Sequence, residues 1–536
     1  MRAEDELTAD VVVVGFGAAG ACAAIEAARA GAEVVVLDRF AGGGATALSG
    51  GVVYAGGGTS VQREAGVVDT PEAMYAYLNR EVGGVVSEAT LRRFCQDSAG
   101  MVDWLAELGV PFEASLCPYK TSYPSNRHYL YYSGSEAAGG FRDIAPPAPR
   151  GHRARGRGIS GAALFDALAG AVRGLGIRVL TQTAAADLVT EEGRIVGVDC
   201  RRLTGAPAAA HRWLSRYAAK PGIYYPPLRR VLHSRAEALE RRRARPLRVR
   251  ARRGVVLASG GFIQNRSMLR EHAPAYRGGL ALGTPGDDGS GIRLGMAAGA
   301  ATGELGSVSV WRFISPPSAF LGAVLVDAAG RRVCDESRYG AALGHALITE
   351  HGGRGWLLVD DVLIRDARRQ LREQTVWFQR VQTEYLLRSR RARGASLDEV
   401  AGKAGVDAEG LRATLAAHNA AAAAGQPDPA GKPAEFVRAL RGPYSLLDIS
   451  IGPSMYYPCP MLTLGGLLVD EDTGAVLRDS GAPVDGLYAA GRTAVGICSR
   501  SYVSGLSLAD CVFSGRRAGR HALGLPAGLD TNENVF

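Results

Sequence analysis

The chain of 536 residues lacks several features that would place it in a defined class of protein. Its eight cysteines are scattered singly and form no C-x-x-C pair, so we expect buried free thiols and no iron–sulfur or zinc site. No apolar run is long enough to cross a bilayer, and no signal peptide precedes the first predicted strand. Internal repeats are also missing. These absences predict a globular cytoplasmic protein without a metal site.

Composition and length describe a folded chain with several domains. Apolar residues make up 47% of the sequence and charged residues 21%, which excludes a largely disordered chain. The length is sufficient for two or three domains with substantial cores. The formal net charge is +9, and arginine supplies most of the positive side chains. Because no recognition motif accompanies this charge, we expect no nucleic-acid partner.

A strand–turn–helix–strand pattern lies near the N-terminus. The β-branched residues 11–14 predict a buried parallel strand, and an Ala-rich helix is predicted at residues 21–30. A second strand at residues 33–37 ends in Asp38. A G-x-G-x-x-G turn joins the first strand to the helix. In this context the turn predicts a dinucleotide site rather than plain βαβ packing.

Three glycines and one acid have separate roles in such a site. Gly15 permits the tight turn, Gly17 lets a pyrophosphate approach the backbone, and Gly20 packs the helix against the strand. The phosphate then lies at the positive N-terminal end of the helix. Asp38 follows at the distance expected for a carboxylate that binds ribose hydroxyls.

A second segment rich in Gly, Ser and Thr follows the acid. An NAD enzyme seldom needs such a loop, whereas a flavin requires backbone donors beyond the pyrophosphate. The stretch resembles the N-terminal signature of the fumarate reductase/succinate dehydrogenase flavoprotein superfamily, which implies FAD. Some members attach FAD through a histidine at the position of Gly44, so the resemblance implies non-covalent FAD here. The motif and the resemblance together predict FAD contacts at Gly15, Gly17, Ala18, Ala19, Gly20, Asp38, Arg39, Ala45, Thr46, Ser49, Gly50, Gly51, Ser259, Gly260, Gly261, Asp288, Gly491, Arg492, Ser507 and Leu508.

The resemblance covers nearly the whole chain and implies its fold class. We expect an α/β protein with a Rossmann-like FAD-binding domain of the GR2 type and an inserted α+β capping domain that contributes to the substrate site. The predicted FAD-binding domain comprises residues 1–302 and 437–536, with the capping domain at residues 303–436. Related flavoproteins often have an acid where Arg492 stands, which leaves that contact open.

Residues 201–253 are predicted to interrupt the FAD-binding domain as a basic insertion. Trp213, Tyr217 and Tyr224 precede an arginine-rich run at residues 229–253. Mixed aromatic and basic residues fit peripheral contact with an anionic membrane surface. A solvated helical excursion with an Arg-rich face explains the pattern equally simply.

An irregular segment at residues 112–158 is rich in tyrosine. One interpretation is an aromatic wall over a flat, apolar substrate, and the other is ordinary loop packing. The tyrosines are Tyr119, Tyr123, Tyr129, Tyr131 and Tyr132.

Three positions that hold a dicarboxylate in fumarate reductases carry no cation in this sequence. The family has an arginine after its V-N-E motif, a histidine before T-x-G-G and an arginine before L-A-D. Tyr339, Leu462 and Tyr502 stand at these positions. A dianion needs charge-assisted donors, so the resemblance implies a neutral ketone on a hydrocarbon frame instead.

The tyrosines at these positions resemble those of 3-ketosteroid dehydrogenases in the same superfamily. The S-Y-V-S-G sequence at residues 501–505 is most similar to the Δ4-(5α) type, because the Δ1 type has glycine where Leu506 stands. The resemblance implies that the enzyme removes an α proton and transfers a hydride to flavin N5. We expect Tyr502 to donate to the ketone, assisted by Ser504 or a backbone N–H, and Tyr339 to be the general base. Its phenol pKa must then fall from about 10.

Two other functions are consistent with the sequence. An FAD-dependent ene-reductase would run the reverse reaction on an enone or enoate. A flavin-binding surface protein would use the basic insertion to dock without turnover. The expected partners are a small hydrophobic ketone and an electron acceptor or donor that the sequence does not identify.

Overall fold

A computed structural model of the chain describes residues 6–276 and 278–525. The outer ends of the two predicted FAD-binding segments, residues 1–5 and 526–536, lie outside the described residues. The strands are β1 (Glu6–Val14), β2 (Val34–Leu37), β3 (Val52–Tyr54), β4 (Leu130–Tyr131), β5 (Gly151–Arg153), β6 (Arg178–Leu180), β7 (Thr183–Glu191), β8 (Arg194–Arg202), β9 (Arg245–Leu257), β10 (Leu280–Ala281), β11 (Thr302–Gly303), β12 (Val308–Val310), β13 (Val324–Val326), β14 (Trp356–Asp360), β15 (Arg391–Gly394), β16 (Tyr444–Asp448), β17 (Pro460–Thr463), β18 (Gly466–Leu467), β19 (Ala475–Leu477) and β20 (Pro483–Ala489).

The helices account for most of the remaining regular structure. They are α1 (Ala18–Arg29), α2 (Gly44–Leu48), α3 (Ser60–Glu64), α4 (Pro71–Val82), α5 (Glu88–Gln96), α6 (Ser98–Glu107), α7 (Gly161–Gly174), α8 (Gly205–Ala219), α9 (Pro226–Arg243), α10 (Arg266–His272), α11 (Ser290–Ala297), α12 (Gly340–His351), α13 (Asp361–Gln374), α14 (Trp377–Ser389), α15 (Leu397–Ala404), α16 (Ala408–Ala424) and α17 (Leu506–His521).

A central sheet combines strands from the first half of the chain with β19 and β20 from its last part. Its strand order is β19-β20-β9-β1-β2-β6, and β20, β9, β1, β2 and β6 run parallel. The valines of β1 between residues 11 and 14 are all buried, because helices such as α1 and α17 cover the sheet. In an open parallel sheet, ligands bind beyond the carboxyl ends of the strands. The turn after β1 lies at that edge.

The arginine-rich end of the predicted insertion is a strand of this sheet. Residues 245–257 form β9, which pairs with β1 along most of its length. Arg248, Arg250 and Arg252 alternate with buried apolar residues and form ion pairs with acids on β1, β7 and β8 and in the loop before β2. The inserted segment between β8 and β9 consists mainly of α8 and α9, between residues 205 and 243. The charge run concealed a two-residue period, which is the signature of a strand.

A second sheet forms the core of the cap. Its strand order is β13-β14-β16-β15, and α12 to α16 surround it. The strand β16 (Tyr444–Asp448) pairs with both β14 and β15, although it follows the predicted end of the cap at residue 436. The domain boundaries stay predictions, with this strand as the structural reason to extend the cap.

Candidate active site

A cavity of about 820 Å³ opens at the carboxyl edge of the central sheet. This volume is within the range of cofactor pockets. We call it the nucleotide cavity, and its wall includes Arg212 and Arg216 of α8 and Lys220, the residue after α8 ends. The predicted residues that line the cavity are Gly15, Gly17, Ala18, Ala19, Asp38, Arg39, Ala45, Thr46, Ser259, Gly260, Asp288, Gly491 and Arg492.

The glycines of the first turn have different surroundings. A Cβ on Gly15 would lie 2.4 Å from the Ala258 carbonyl oxygen, and the φ angle of Gly15 is +107°. A Cβ on Gly20 would lie 1.9 Å from the Gly15 carbonyl oxygen, so Gly20 lets α1 pack on β1. A Cβ on Gly17 would meet only Thr46 Oγ1, at 3.5 Å, and the Gly43 carbonyl oxygen, at 4.0 Å. The packing of the fold therefore does not require glycine at position 17. Glycine there leaves room in the cavity for a ligand.

Asp38 holds the backbone of the turn. Its carboxylate accepts the N–H groups of Phe16 at 2.9 Å, Phe40 at 2.8 Å and Gly42 at 3.1 Å. Burial raises the pKa of Asp38, while these three hydrogen bonds act in the opposite direction. The carboxylate lies on the cavity wall, and its predicted ribose contact stays a prediction.

Arg39 connects the cavity to the helical insertion. Its guanidinium forms a two-pronged pair with Glu240 of α9, at 2.9 and 2.8 Å, and a third bond to Asp288 at 2.8 Å. His211 of α8 also contacts Glu240, through Nε2 at 2.9 Å. Burial acts to raise the pKa of Glu240, but the bonds from His211 and Arg39 outweigh it and lower the pKa to about 2. The sequence did not indicate that α8 and α9 wall the cavity.

Arg492 pairs with Asp287, an acid that is not among the predicted FAD contacts. Its Nη2 lies 2.6 Å from Asp287 Oδ1, and both side chains are buried. Its Nη1 is buried without a hydrogen-bond partner in the described part of the chain. A cation with a free donor on the wall of a glycine-lined cavity fits an anionic cofactor such as a dinucleotide.

Seven predicted contacts lie outside the cavity lining: Gly20, Ser49, Gly50, Gly51, Gly261, Ser507 and Leu508. The loop at Gly50 runs towards the tyrosine-rich segment, since the Gly50 carbonyl accepts the hydroxyls of Tyr123 and Ser160, each at 3.0 Å. Ser507 and Leu508 lie in the first turn of α17. Gly261 packs against Thr463, whose Oγ1 would be 2.4 Å from an added Cβ. Except for the packing role of Gly20, these residues stay predicted flavin contacts.

The two predicted catalytic tyrosines lie side by side. The ring centroids of Tyr339 and Tyr502 are 6.3 Å apart. Trp311 contacts Tyr502 at 5.2 Å, and Phe313 contacts Tyr339 at 5.7 Å. These two aromatic residues follow β12 and were not singled out in the sequence, although the alternating W-R-F pattern at residues 311–313 directs them to one side. The site is thus an aromatic enclosure around two phenols.

Ser504 connects a third tyrosine to Tyr339 and Tyr502. Its hydroxyl lies 3.1 Å from the hydroxyl of Tyr131, on β4. We call Tyr131, Tyr339, Tyr502 and Ser504 the tyrosine cluster. Tyr119 and Tyr123 pack against the apolar cluster that contains Tyr131, so this part of the tyrosine-rich segment adjoins the tyrosine cluster. Arg153 lies 4.5 Å from the ring centroid of Tyr123 and 5.0 Å from that of Tyr129.

The pKa values within the tyrosine cluster shift in one direction. Burial raises the pKa of Tyr339 well above its usual value, and the neighbouring Tyr502 and Tyr131 add to this. Burial likewise raises the pKa of Tyr502 and of Tyr131. This direction is opposite to the fall that a general base needs, since Ser504 alone acts to lower the pKa of Tyr339.

Leu462 stands at the position that carries histidine in fumarate reductases, and its side chain is buried. Leu462 lies in β17, opposite Ser309 of β12. Within residues 6–276 and 278–525, no cluster of three His, Cys, Asp or Glu side chains is arranged to hold a metal. Over the same residues, no helix combines the length and the apolar character that a membrane crossing requires.

Comparisons with known proteins extend over almost the whole chain. A family model described as "FAD binding domain" matches residues 10–505. The 3-oxo-5-alpha-steroid 4-dehydrogenase of Comamonas testosteroni is 41% identical over 498 residues, which are 90% of this chain and 92% of that protein. The NADH:fumarate oxidoreductase of Klebsiella pneumoniae is 24% identical, over 96% of this chain and 47% of that protein.

A solved structure shows the same likeness. The 3-ketosteroid-Δ4-(5α)-dehydrogenase of Rhodococcus jostii RHA1, in complex with 4-androstene-3,17-dione, superposes with a TM-score of 0.79. The two chains are 32% identical, and the match covers 96% of this chain and 97% of that one. The predicted α/β fold class, with its FAD-binding and capping regions, is confirmed by these likenesses.

Proposed function

The chain belongs to the FAD binding domain family, and from this premise we propose that it is an FAD-dependent dehydrogenase of 3-ketosteroid-like substrates, of the Δ4-(5α) type. Family membership confirms the predicted cofactor, and the relatives confirm the oxidoreductase class. Two relatives named for the Δ4-(5α) reaction, at 41% and 32% identity, support the predicted substrate class. Gly44 lines the cavity and has no side chain that could form a bond to FAD, which is consistent with non-covalent binding.

The observation that carries the proposal is the pair of phenols enclosed by aromatic rings. Tyr339 and Tyr502 come from segments more than 150 residues apart, and their ring centroids lie 6.3 Å apart. The enclosure offers hydroxyl donors and apolar surfaces, which suit a neutral ketone on a hydrocarbon frame. A dicarboxylate would find no paired cations at the three family positions and would be poorly solvated.

Tyr502 is proposed as the hydrogen-bond donor to the substrate ketone. Its raised pKa keeps the phenol protonated, so that it can donate at any working pH. A hydrogen bond to the ketone becomes stronger as the carbonyl oxygen gains negative charge during removal of the α proton. When bound, FAD supplies the acceptor for the hydride from the β carbon.

Tyr339 is proposed as the general base, acting as its phenolate. Burial and the neighbouring phenols keep most Tyr339 molecules protonated, so the reactive form is a minor one. The Ser504 hydroxyl favours the ionised form, and it lies between the cluster's phenols, 3.1 Å from the Tyr131 hydroxyl. Ser504 and Tyr131 are thereby proposed to carry the abstracted proton away from Tyr339.

The same site geometry suits the reverse reaction, reduction of an enone. Tyr502 would still donate to the carbonyl oxygen, while Tyr339, as the neutral phenol, would return a proton to the α carbon. The electron partner decides between the two directions: a dehydrogenase passes electrons to an acceptor such as a quinone, and a reductase receives them. Anaerobic mixing of the holoenzyme with saturated and Δ4-unsaturated 3-ketosteroids tests the proposal. We expect the saturated ketone to bleach the flavin absorbance. The proposal would be overturned if succinate bleached the flavin, or if none of the ketosteroids did.

We also propose that the tip of the α8–α9 hairpin makes peripheral contact with an anionic membrane. Residues 201–236 contain eight Arg or Lys residues and no Asp or Glu. Arg229 is buried, and four of the others line the nucleotide cavity, so Arg230 and Arg235 are the exposed cations of α9 in this range. The large apolar side chains exposed around this tip are Trp213, Tyr217, Tyr224, Tyr225, Leu228 and Val231. Exposed aromatic side chains beside unopposed positive charge are typical of contact with anionic lipid.

Co-sedimentation with lipid vesicles tests this contact. We expect the wild-type protein to bind vesicles that contain phosphatidylglycerol and not vesicles of phosphatidylcholine alone. The double variant Trp213→Ser, Tyr225→Ser should lose this binding. Trp377→Ser is the matched control, because Trp377 is a 69% exposed tryptophan on the cap. Equal binding by the double variant and the wild type would refute the hairpin contact.

A further inference from the structure

Glu81 lies on α4, outside the tyrosine cluster, and the proposed chemistry does not use it. Its Oε1 accepts the hydroxyl of Ser501 at 3.3 Å. Ser501 immediately precedes Tyr502 in the chain. One carboxylate oxygen of Glu81 therefore holds the segment that carries the proposed donor.

The other carboxylate oxygen leads to Tyr339 through three hydrogen bonds. The Tyr77 hydroxyl donates to Glu81 Oε2 at 3.4 Å. The same Tyr77 oxygen accepts the N–H of Ser135 at 2.8 Å. The Ser135 hydroxyl oxygen then accepts the N–H of Tyr339 at 3.1 Å. Both segments that carry the proposed catalytic tyrosines are thus attached to one partly buried side chain.

Charge reinforces this attachment. Arg338, the residue immediately before Tyr339, attracts the Glu81 carboxylate, whereas Glu136 repels it. Burial is the largest influence and raises the pKa of Glu81. Glu136 is itself held by the Gly134 N–H, at 3.1 and 2.9 Å from its two oxygens. The residues directly before both catalytic tyrosines, Arg338 and Ser501, therefore interact with Glu81.

We propose that Glu81 is a positioning residue that fixes Tyr339 and Tyr502 relative to each other. The inference rests on the proposed function, since it concerns the two tyrosines assigned there. A carboxylate only accepts hydrogen bonds, so both Tyr77 and Ser501 must direct their protons towards it. This leaves the lone pairs of the Tyr77 oxygen free to accept the Ser135 N–H. Catalytic side chains must be held within a fraction of an ångström, and here that constraint acts through the backbone of each tyrosine.

The variant Glu81→Gln tests the inference without changing the size of the side chain. Its amide NH₂ is a donor, so it leaves one of the two hydroxyls without an acceptor. We expect kcat for a 3-ketosteroid to fall about tenfold or more while KM changes little, since displaced catalytic groups affect mainly the chemical step. Glu72→Gln is the matched control, as Glu72 is exposed in the first turn of the same helix. It should leave kcat unchanged.

Combined variants separate positioning from simple loss of packing. Ser501→Ala and Tyr77→Phe each remove one connection and should lower kcat less than Glu81→Gln does. Ser501→Ala added to Glu81→Gln should cause little further loss, because the two changes act on the same connection. Additive losses would overturn the inference.

Hydrogen exchange of the FAD-loaded protein gives a readout that does not depend on turnover. We expect faster amide exchange in Glu81→Gln at residues 338–340 and 500–503, and no change there in Glu72→Gln. Wild-type exchange at both segments, or a wild-type kcat in Glu81→Gln, would refute the role of Glu81. Uniformly faster exchange along α4 would show a packing role and would also refute it. If the wild-type holoenzyme turns over no ketosteroid, the proposed function fails while the exchange result still decides the inference.

Discussion

The nucleotide cavity and the tyrosine cluster are assembled from the chain in opposite ways. The cavity begins with one continuous stretch, from β1 through the loop after β2, and many of its contributions come from glycine and alanine backbone. The tyrosine cluster draws side-chain hydroxyls from three separate segments, at residues 131, 339 and 502–504. Backbone sites depend on the absence of side chains, and hydroxyl clusters depend on their presence. Substitutions should therefore damage the two regions in separable ways.

The largest effect is expected from removing one hydroxyl of the tyrosine cluster. Tyr502→Phe and Tyr339→Phe should each lower kcat/KM about 10²-fold or more, because each loses the donor or the base. FAD content, measured from the visible spectrum, should not change. Steady-state assay with a saturated 3-ketosteroid and a dye acceptor gives the rates.

Tyr488→Phe is the control for this prediction. It removes a single hydroxyl bond to the His521 carbonyl, 3.2 Å long, on the strand β20. Near-wild-type turnover in Tyr339→Phe would exclude that phenol from the chemistry and would end the contrast between the two regions.

A side chain at position 17 should weaken FAD binding, which the tyrosine variants should leave unchanged. An added Cβ fits the protein, meeting only Thr46 Oγ1 at 3.5 Å and the Gly43 carbonyl oxygen at 4.0 Å, but it projects where a pyrophosphate must approach. For Gly17→Val we expect FAD affinity to fall about tenfold to a hundredfold, as for a lost hydrogen bond to a charged group. The melting temperature of the apoprotein should stay near wild type.

Fluorescence titration of the apoprotein with FAD measures this affinity. Gly170→Val, on α7 where an added Cβ has nothing within 4 Å, is the matched control. An apoprotein of Gly17→Val that unfolds, or that binds FAD normally, would contradict the assignment of Gly17 to the ligand.

The pH dependence should report only on the tyrosine cluster. Because the pKa of Tyr339 is raised, its phenolate fraction at neutral pH is small and grows as the pH rises towards that pKa. We expect kcat/KM to increase about tenfold per pH unit above roughly pH 7. A plateau reached below pH 8 would point to another base. FAD affinity should not depend on pH in this way. The variant Tyr339→Phe should remove the pH dependence of kcat/KM.

The smallest effect is expected on β9, outside both regions. Arg250 pairs with Glu6 and Glu191 at the protein surface, and Arg252 pairs with Asp10 and Glu33. Exposed ion pairs contribute roughly 0–1 kcal/mol each, so the variant Arg250→Gln, Arg252→Gln should shift the urea midpoint only slightly. Vesicle binding should also persist, since acids already neutralise these arginines. Loss of vesicle binding in this variant would move the proposed membrane contact from the hairpin tip to the sheet.

The start of the nucleotide cavity could be predicted from the sequence because the pattern that indicates it lies within a short stretch of the chain. A β-branched run, a glycine turn and an Ala-rich helix are properties of neighbouring residues, and the structure places most of the predicted contacts on one cavity. The same local view failed for residues 245–253. There the charge run drew attention away from alternation, and the acids that pair with these arginines are distant in sequence.

The tyrosine cluster shows the limit of this approach. Family resemblance identified Tyr339, Tyr502 and Ser504, but Tyr131 was only one of five equivalent loop tyrosines until its hydroxyl was found beside Ser504. The raised pKa of Tyr339 was also out of reach, because it results from burial beside other phenols. The pairing of Asp287 with Arg492 was out of reach for a similar reason, since the two residues are about 200 positions apart.

The amino-acid sequence alone determined the nucleotide fold and the chemical types available for catalysis, because hydrophobic period, turn residues and motif spacing act over a few residues. Tertiary structure alone decided which hydroxyls meet, which charges are already paired and which phenols are buried. Those properties depend on distances between segments that are far apart in the chain, and on the exclusion of water when they pack together.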